Sequence, residues 1–357
     1  MLRVLTLSTL YPDRLRPAFG RFVARQTQAL AAQPDVAVRV VAPLGLPVAP
    51  LQRADHHALA GLPDAETIDG LAIARPRFTT WPGPAGRGNS RRLAKALIPA
   101  VEQLRRDFAF DVIDGEFFWP DGPAAIALGA HFGVPVSIKA RGSDINHWAS
   151  LPAVRQRIVA AAASADGLLA VSAALADRMA AIGIDRHRIT VHYTGVDADR
   201  FRPVDRAATR AALGLSGALF VTVGTLNANK GQHLAIDALA ALPEATLVLV
   251  GDGPDRERLA ARAADRGVAG RVRLAGQLSV EQLAPLIAAA DALLQPSANE
   301  GLANVWIEAL ACGTPVIASA AGGIAEVLDR PEAGRIVARD PAAIAAAMAA
   351  MLADPPA

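Results

Sequence analysis

Two glutamates, Glu300 and Glu308, stand with seven residues between them in SANEGLANVWIEALACGT, Ser297–Thr314. A Gly-Leu-Ala-Asn turn follows the first, and an apolar helical pattern runs on to about Cys312. Eight residues of helix span about 2.2 turns at 3.6 residues per turn, so the two acids do not form one tight carboxylate pair. They read as one group at the lip of a pocket and one further along its wall. The helix start offers the N–H groups of Leu302, Ala303 and Asn304, and such a start attracts an anion such as phosphate. The spacing alone would also suit an ordinary amphipathic helix with two surface acids, so the neighbouring stretches must decide.

Three other loops carry groups of the same kind. In VGTLNANKG, Val223–Gly231, a strand pattern ends at Gly224 and a helix pattern begins near Gly231. Lys230 then stands at the helix start, above the C-terminal edge of a sheet, where open α/β sheets bind ligands. A lysine there can neutralise a diphosphate leaving group. It is the only lysine in the second half of a chain with 33 arginines and 3 lysines. In YPDRLRPAFGRFVARQ, which starts at Tyr11, Gly20 opens a helix where a backbone N–H can approach a phosphate or a sugar. KARGSDIN, Lys139–Asn146, follows another strand end and contains Arg141 and Asp144. An ordinary turn with a surface arginine explains it equally well.

Positioning these loops requires strands that alternate with helices, and the chain supplies both. Arg3–Thr6, Ala37–Ala42, Asp111–Asp114, Val134–Lys139 and Leu168–Val171 read as short buried strands, with helices near 21–32, 90–107, 121–131, 153–163 and 173–182. The second half repeats this with strands at Phe220–Gly224, Thr246–Gly251, Val272–Ala275, Ala292–Gln295 and Pro315–Ala318. Helix patterns fall near 230–241, 255–266, 279–288, 302–311 and 341–352. Such alternation predicts doubly wound parallel sheets, one in each half. The segment 43–88, rich in Pro and Gly, reads as mostly irregular with one strand near Leu71–Ala74. A break at Tyr193–Arg206, YTGVDADRFRPVDR, sets the boundary: residues 1–195 form one domain and 196–357 the other. The Asp197-Ala-Asp199 within it reads as part of a turn, not as a metal site.

The length of 357 residues suits two domains, and 52% hydrophobic residues can fill two cores. One cysteine, Cys312, excludes an internal disulfide and fits a reducing compartment. MLRVLTLSTL lacks the basic segment and cleavage site of a signal peptide and reads as a strand. No apolar run reaches the ~18 residues of a membrane span. These features predict a cytoplasmic chain. The net charge of +2 is uneven: residues 1–200 hold 23 basic and 18 acidic groups, residues 201–357 hold 13 and 16. No nucleic-acid partner is expected. Residues 87–106 carry six basic groups and an apolar stripe of Leu93, Leu97, Val101 and Leu104. Two readings stay open for them: a core-packed helix with a solvated basic face, or peripheral contact with an anionic membrane at its inner face. His56-His57 has no third ligand at metal-site spacing.

These motifs together resemble the retaining glycosyltransferases of the GT-B fold, family 4 (glycosyl transferases group 1), over nearly the whole chain. The Glu-x7-Glu stretch, the Lys-Gly loop, the Gly20 loop, the RGSD turn and the linker GVDADRFRP carry the resemblance. It implies two Rossmann-like domains facing a central cleft, with the acceptor on the first and a nucleotide diphosphate sugar on the second. It implies that Glu308 holds the ribose, that Lys230, Thr225, Gly224 and the 301–304 backbone hold the diphosphate, and that Glu300 orients the donor sugar. Gly20 would face the donor, and Arg141 and Asp144 would border donor sugar and acceptor. Two departures stand out. Thr225 occupies the place of the family's usual arginine, and Arg141 that of its histidine, which suggests an anionic acceptor or a subfamily difference. The resemblance implies no metal and no cofactor, only the nucleotide-sugar co-substrate and a saccharide or lipid-linked acceptor, in polysaccharide or cell-surface glycan assembly. The chain stops where family members usually continue with crossover helices, which are therefore expected to be missing. A catalytically impaired nucleotide-sugar-binding protein, a GT-B sugar-nucleotide 2-epimerase and a two-domain periplasmic-type binding protein remain as alternatives.

Overall fold

The computed structural model describes residues 1–356. The chain divides into two compact units, Met1–Tyr193 and Thr194 onward. That division falls two residues before the expected boundary.

Unit 1 opens with β1 (Leu2–Leu7), α1 (Arg21–Ala31) and β2 (Val36–Val41). It continues with β3 (Leu44–Pro47), α2 (Ala54–Ala60), β4 (Ala65–Ile68), β5 (Leu71–Ala74), β6 (Arg77–Thr80) and α3 (Asn89–Asp107). Then come β7 (Val112–Gly115), α4 (Asp121–Phe132), β8 (Val136–Ala140), α5 (Ser143–Asn146), α6 (Pro152–Ser164), β9 (Gly167–Ala170), α7 (Ala173–Ala181) and β10 (Ile189–Val191). Eight strands form one sheet in the order β10-β9-β8-β7-β1-β2-β5-β4. Its pairs are parallel except β4 against β5. Leu5, Leu7, Val40 and Ile138 are fully buried, as expected for central parallel strands whose faces are covered by helices.

The segment 43–88 is more ordered than its composition suggested. A hairpin joins β4 to β5 through Asp69-Gly70, both at positive φ, the pair of conformations that a two-residue type I′ turn needs. The Asp-Gly signal was there to be read between ETI and LAIA. By contrast, β3 and β6 pair in parallel as a separate two-stranded sheet across 30 or so residues, a contact with no local signature.

Unit 2 runs α8 (Arg206–Ala212), β11 (Ala218–Val223), α9 (Gln232–Leu239), β12 (Ala245–Val250), α10 (Arg256–Asp265), β13 (Val272–Gly276) and α11 (Val280–Ala289). It ends with β14 (Ala292–Gln295), α12 (Asn304–Ala311), β15 (Val316–Ser319), α13 (Ile324–Val327), β16 (Gly334–Val337) and α14 (Pro341–Ala353). Its six strands, all parallel, are ordered β13-β12-β11-β14-β15-β16. Phe220, Leu247, Leu249, Leu294 and Ile317 build the core, closed by Ile344 and Met348 of α14.

Each sheet has a switch point. In unit 1 the chain builds outward from β1 through β2 on one side and through β7 on the other; in unit 2, from β11 through β12 on one side and through β14 on the other. At such a point the loops leaving the two strands diverge and leave a crevice at the C-terminal edge, the usual place for a ligand in open α/β sheets.

Of the two readings of 87–106, the helix itself is present as α3, with Leu93, Leu97 and Val101 buried and Leu104 half-buried. Burying each such side chain stabilises by about 1.5–3 kcal/mol, so this face is committed to the core and unavailable to a bilayer. The basic side remains outward. Among the described residues no helix is long and apolar enough to cross a membrane.

Candidate active site

Lys230 and Glu300 meet at the switch point of unit 2. β11 ends at Val223, and its loop passes Gly224 and Thr225 to a 3-10 turn, Ala228–Lys230, capped by the Asn227 side chain. β14 ends at Gln295, and its loop carries Glu300. The Lys230 Nζ donates to Glu300 Oε1 at 2.6 Å, with the lysine side chain 22% and the glutamate 10% exposed. Lys230 also lies against Gly224.

The two loops are tied together along their length. Asn229 Nδ2 donates to the Asn299 carbonyl at 3.0 Å, and the Asn299 N–H returns a bond to Asn229 Oδ1 at 3.1 Å. Arg339 donates to the carbonyls of Pro296 and Ala228 at 3.0 and 2.8 Å. Gly231 sits where the loops touch, at φ 72°, and a Cβ there would stand 2.2 Å from the Pro296 oxygen. Only glycine fits that approach. Gln232 Nε2 holds the Thr225 carbonyl at 3.1 Å, while Thr225 itself is exposed. The sequence pointed to Lys230 and Glu300 but not to Asn229, Asn299 and Arg339, which set their geometry.

After Glu300, the residues Gly301, Leu302 and Ala303 are buried and α12 begins at Asn304, with Ala303 as its cap residue and no side-chain cap. Glu308 is 7% exposed, one turn into α12. The expected donor residues of the second half therefore share one sheet edge: Gly224, Thr225, Lys230, Glu300, the 301–304 backbone and the α12 helix that carries Glu308.

The expected residues of the first half lie in unit 1, at the edge of its own sheet. Gly20 caps α1 at φ 65°, buried, where a Cβ would lie 2.3 Å from the Leu10 carbonyl. Arg141 differs from its expected role. Its side chain is only 4% exposed, pairs with the Glu116 carboxylate and donates to Gln26 Oε1 at 2.9 Å. It is spent inside the unit, so the arginine does not signal an anionic acceptor. Asp144 is likewise fully buried. Its carboxylate accepts from the backbone N–H groups of Phe118, Arg141, Gly142 and Ile145 at 2.8–3.2 Å. Burial raises its pKa against the pull of those four bonds. Such a carboxylate shapes a turn and leaves no lone pair for a substrate.

Sequence reading missed the rest of this buried network. Glu116, 1% exposed, faces Lys139 Nζ at 3.6 Å as well as Arg141. Burial alone would raise its pKa, but the two cations outweigh it and hold it below the usual value. Asp121 is fully buried, accepts from the Thr9 N–H at 2.8 Å, and is pushed by burial up to about 7. The signal available was two acids just past the end of a buried strand, in VIDGEFFWPDG. Asp197, in the linker, bonds its own turn through the Arg200 N–H and guanidinium, and among the described residues no three His, Cys, Asp or Glu side chains gather as a metal site.

Comparison with known sequences gives the family of the chain. The profile described as Glycosyltransferase Family 4 matches residues 19–200, and that described as Glycosyl transferases group 1 matches residues 205–357. The chain belongs to glycosyltransferase family 4. The transferase is 28% identical over 341 residues to TuaC of Bacillus subtilis, a glycosyltransferase named for teichuronic acid biosynthesis, across 92% of this chain and 84% of that one. It is 41% identical over 148 residues to the D-inositol 3-phosphate glycosyltransferase of Mycobacterium leprae, which covers 39% of this chain and 34% of the relative. Among solved structures, sucrose-phosphate synthase from Thermosynechococcus elongatus superposes with a TM-score of 0.82 at 22% identity, over 99% of this chain and 90% of that one. HepE of Anabaena, solved with UDP, gives 0.74 at 21% identity over the same shares. These likenesses establish the GT-B fold for the transferase.

Proposed function

We infer that the protein transfers a glycosyl group from a nucleotide diphosphate sugar to an acceptor hydroxyl with retention of anomeric configuration. The observation that carries this reading is the Lys230–Glu300 pair across the unit 2 switch point, beside the start of the helix that bears Glu308. Lys230 would hold the diphosphate and neutralise the charge that develops as it leaves. Glu300, released from Lys230 by the incoming phosphate, would accept hydrogen bonds from hydroxyls of the donor sugar. Glu308 would take the ribose hydroxyls, and the backbone around 302–304 would add N–H donors.

In the transfer, the acceptor oxygen bonds the anomeric carbon on the face that the diphosphate leaves. The bond from that carbon to the diphosphate oxygen breaks, and the acceptor proton passes to the leaving phosphate. Lys230 would supply the positive charge, so the reading requires no metal. That HepE was solved with UDP and with UDP-glucose favours a nucleotide-sugar donor, and the name of TuaC favours a cell-surface polysaccharide or glycolipid acceptor. The proposed setting is the cytoplasmic side of the membrane.

Calorimetry with UDP, GDP and ADP tests the donor site. One nucleotide should bind selectively, and Glu308→Ala should weaken it by more than about 1.4 kcal/mol, tenfold. Absence of binding to all three would overturn the reading. Binding without turnover of any nucleotide sugar would leave a binding protein, the reading that the uncharged Thr225 favours.

A further inference from the structure

The Lys230–Glu300 pair joins two loops that a bound diphosphate would part. Once Lys230 turns to an anion, its 2.6 Å bond to Glu300 no longer spans the gap between them. Loops that spread at that moment would weaken the ligand, because ordering them again opposes binding. A site that exchanges partners in this way needs its loops held from elsewhere.

Arg339 belongs to neither loop. It follows β16 on a third one, directly before Asp340, whose carboxylate caps α14 through the N–H groups of Ala342 and Ala343 at 2.9 and 3.2 Å. Ile344 and Met348 of the same helix are fully buried in the unit 2 core. The arginine backbone is therefore anchored independently of the two loops. From there Nε donates to the Pro296 carbonyl at 3.0 Å and Nη2 to the Ala228 carbonyl at 2.8 Å. Pro296 stands at the root of the loop that carries Glu300, and Ala228 opens the turn that ends at Lys230. One planar cation thus sets the spacing of both loops through two donors at a fixed separation, which a lysine ammonium does not reproduce.

The neighbouring bonds act differently. Asn229 fastens the exposed tip: its carbonyl accepts from the Ala298 N–H at 2.7 Å, and its side chain pairs with Asn299. From the β15 side, Ser319 Oγ donates to the Ser297 carbonyl and the Gly323 N–H to the Gly301 carbonyl at 2.9 Å, which steadies the Glu300 loop. Arg339 bridges the roots of both loops. It is also exposed, so a smaller side chain there leaves the core intact.

We propose that Arg339 is a positioning residue of the donor site: it holds the Lys230 and Glu300 loops at one spacing, so that an incoming diphosphate takes Lys230 from Glu300 without the site opening. The inference rests on the reading of Lys230 as the partner of the diphosphate.

The test is calorimetry of the full chain with UDP, GDP and ADP, continued with whichever of them wild type binds. Arg339→Ala should bind it about tenfold more weakly, the part of two charge-assisted hydrogen bonds that is felt at Lys230. Arg339→Lys keeps the charge without the paired donors and should fall between Arg339→Ala and wild type. Arg335→Ala removes the same charge from an exposed position on β16 and should bind as wild type does. In a Lys230→Ala background, Arg339→Ala should change nothing, since a positioning residue acts only through the group it places. A general loosening of the fold would weaken both backgrounds alike. The proposal is overturned, with the transferase reading intact, if Arg339→Ala or Arg339→Lys binds as wild type does, if Arg335→Ala loses as much as Arg339→Ala, or if the loss persists undiminished without Lys230. Binding of none of the three nucleotides to wild type strikes the transferase reading first, and this inference with it.

Discussion

Removing the charge of Glu300 should tighten nucleotide binding while it slows transfer. Lys230 Nζ lies 2.6 Å from Glu300 Oε1, and an arriving diphosphate must compete with that carboxylate for the same cation. Two unit charges 4 Å apart attract by about 4 kcal/mol at an effective dielectric of 20. Desolvation and the partly open side of the pair return most of that. Exposed pairs are worth about 0–1 kcal/mol, and breaking a buried one costs about 3–5 kcal/mol. With side chains 22% and 10% exposed, this pair belongs between them, near 1–2 kcal/mol in order of magnitude. Glu300→Gln keeps an acceptor oxygen and removes the charge, so it should improve UDP affinity by about 1 kcal/mol, roughly fivefold. Lys230→Ala should act in the opposite direction. A charge-assisted hydrogen bond contributes about 1.5–3 kcal/mol, which predicts UDP binding ~10- to 100-fold weaker. In Lys230→Ala the further change Glu300→Gln should do nothing for UDP, because the competition has gone. Calorimetry on the four proteins, with melting curves to confirm that each is folded, measures the cycle; a transfer assay should show Glu300→Gln slower. UDP affinity that falls or stays constant in a folded Glu300→Gln protein would refute the partner exchange.

Three further predictions concern unit 1. Asp121 is raised to about 7 from 3.8, so its contribution to stability is complete below pH ~4 and is lost as pH rises to 7. Asp121→Asn should therefore gain on wild type between pH 4 and pH 8, by at most about 4 kcal/mol; a difference in melting temperature that ignores pH would contradict it. Arg141→Ala strands the Glu116 carboxylate with Lys139 alone and should cost about 3–5 kcal/mol. Adding Glu116→Gln should recover part of that loss in a denaturant titration, and strictly additive losses would dissolve the coupling. Asp144→Asn turns an NH2 group toward a ring of backbone donors and should release either Phe118 or the 141–145 turn. The expected kinetic result is a higher KM for acceptor with UDP affinity intact.

How much of this was legible in the sequence depends on how far apart the interacting residues lie. The alternation of strands and helices, the loops that carry Lys230 and Glu300, and the glycines at tight junctions are local patterns, and each element appears close to its expected place. The Asp69-Gly70 hairpin is also a local signal. Non-local features had no such signal. The pairing of β3 with β6, the clamp of Arg339 on two carbonyls, and the unit 1 cavity lined by Phe19, Phe78, Trp119 and Trp148 exist only when the sheets bring their loop ends together. β10, β16 and α13 span three or four residues each, too short for periodicity to speak.

Arg141 and Asp144 show why a motif position can be right while its chemistry is different. Both were expected beside substrate because the turn that carries them resembles the family's His-Gly-Ser-Asp turn, and that turn does follow the end of β8. Side-chain polarity cannot say which way a charge faces. At the end of a buried strand a charged group either meets solvent and ligand or must find partners within the fold, since an unpaired buried charge is costly. Here Glu116, Lys139 and Gln26 are within reach of that turn, and four backbone N–H groups surround Asp144, so both side chains turn inward. The consequence for function is a division of labour. In unit 2 the Lys230–Glu300 pair is partly open and can exchange partners. In unit 1 Glu116, Arg141 and Asp144 are closed into supports for the loops at the sheet edge.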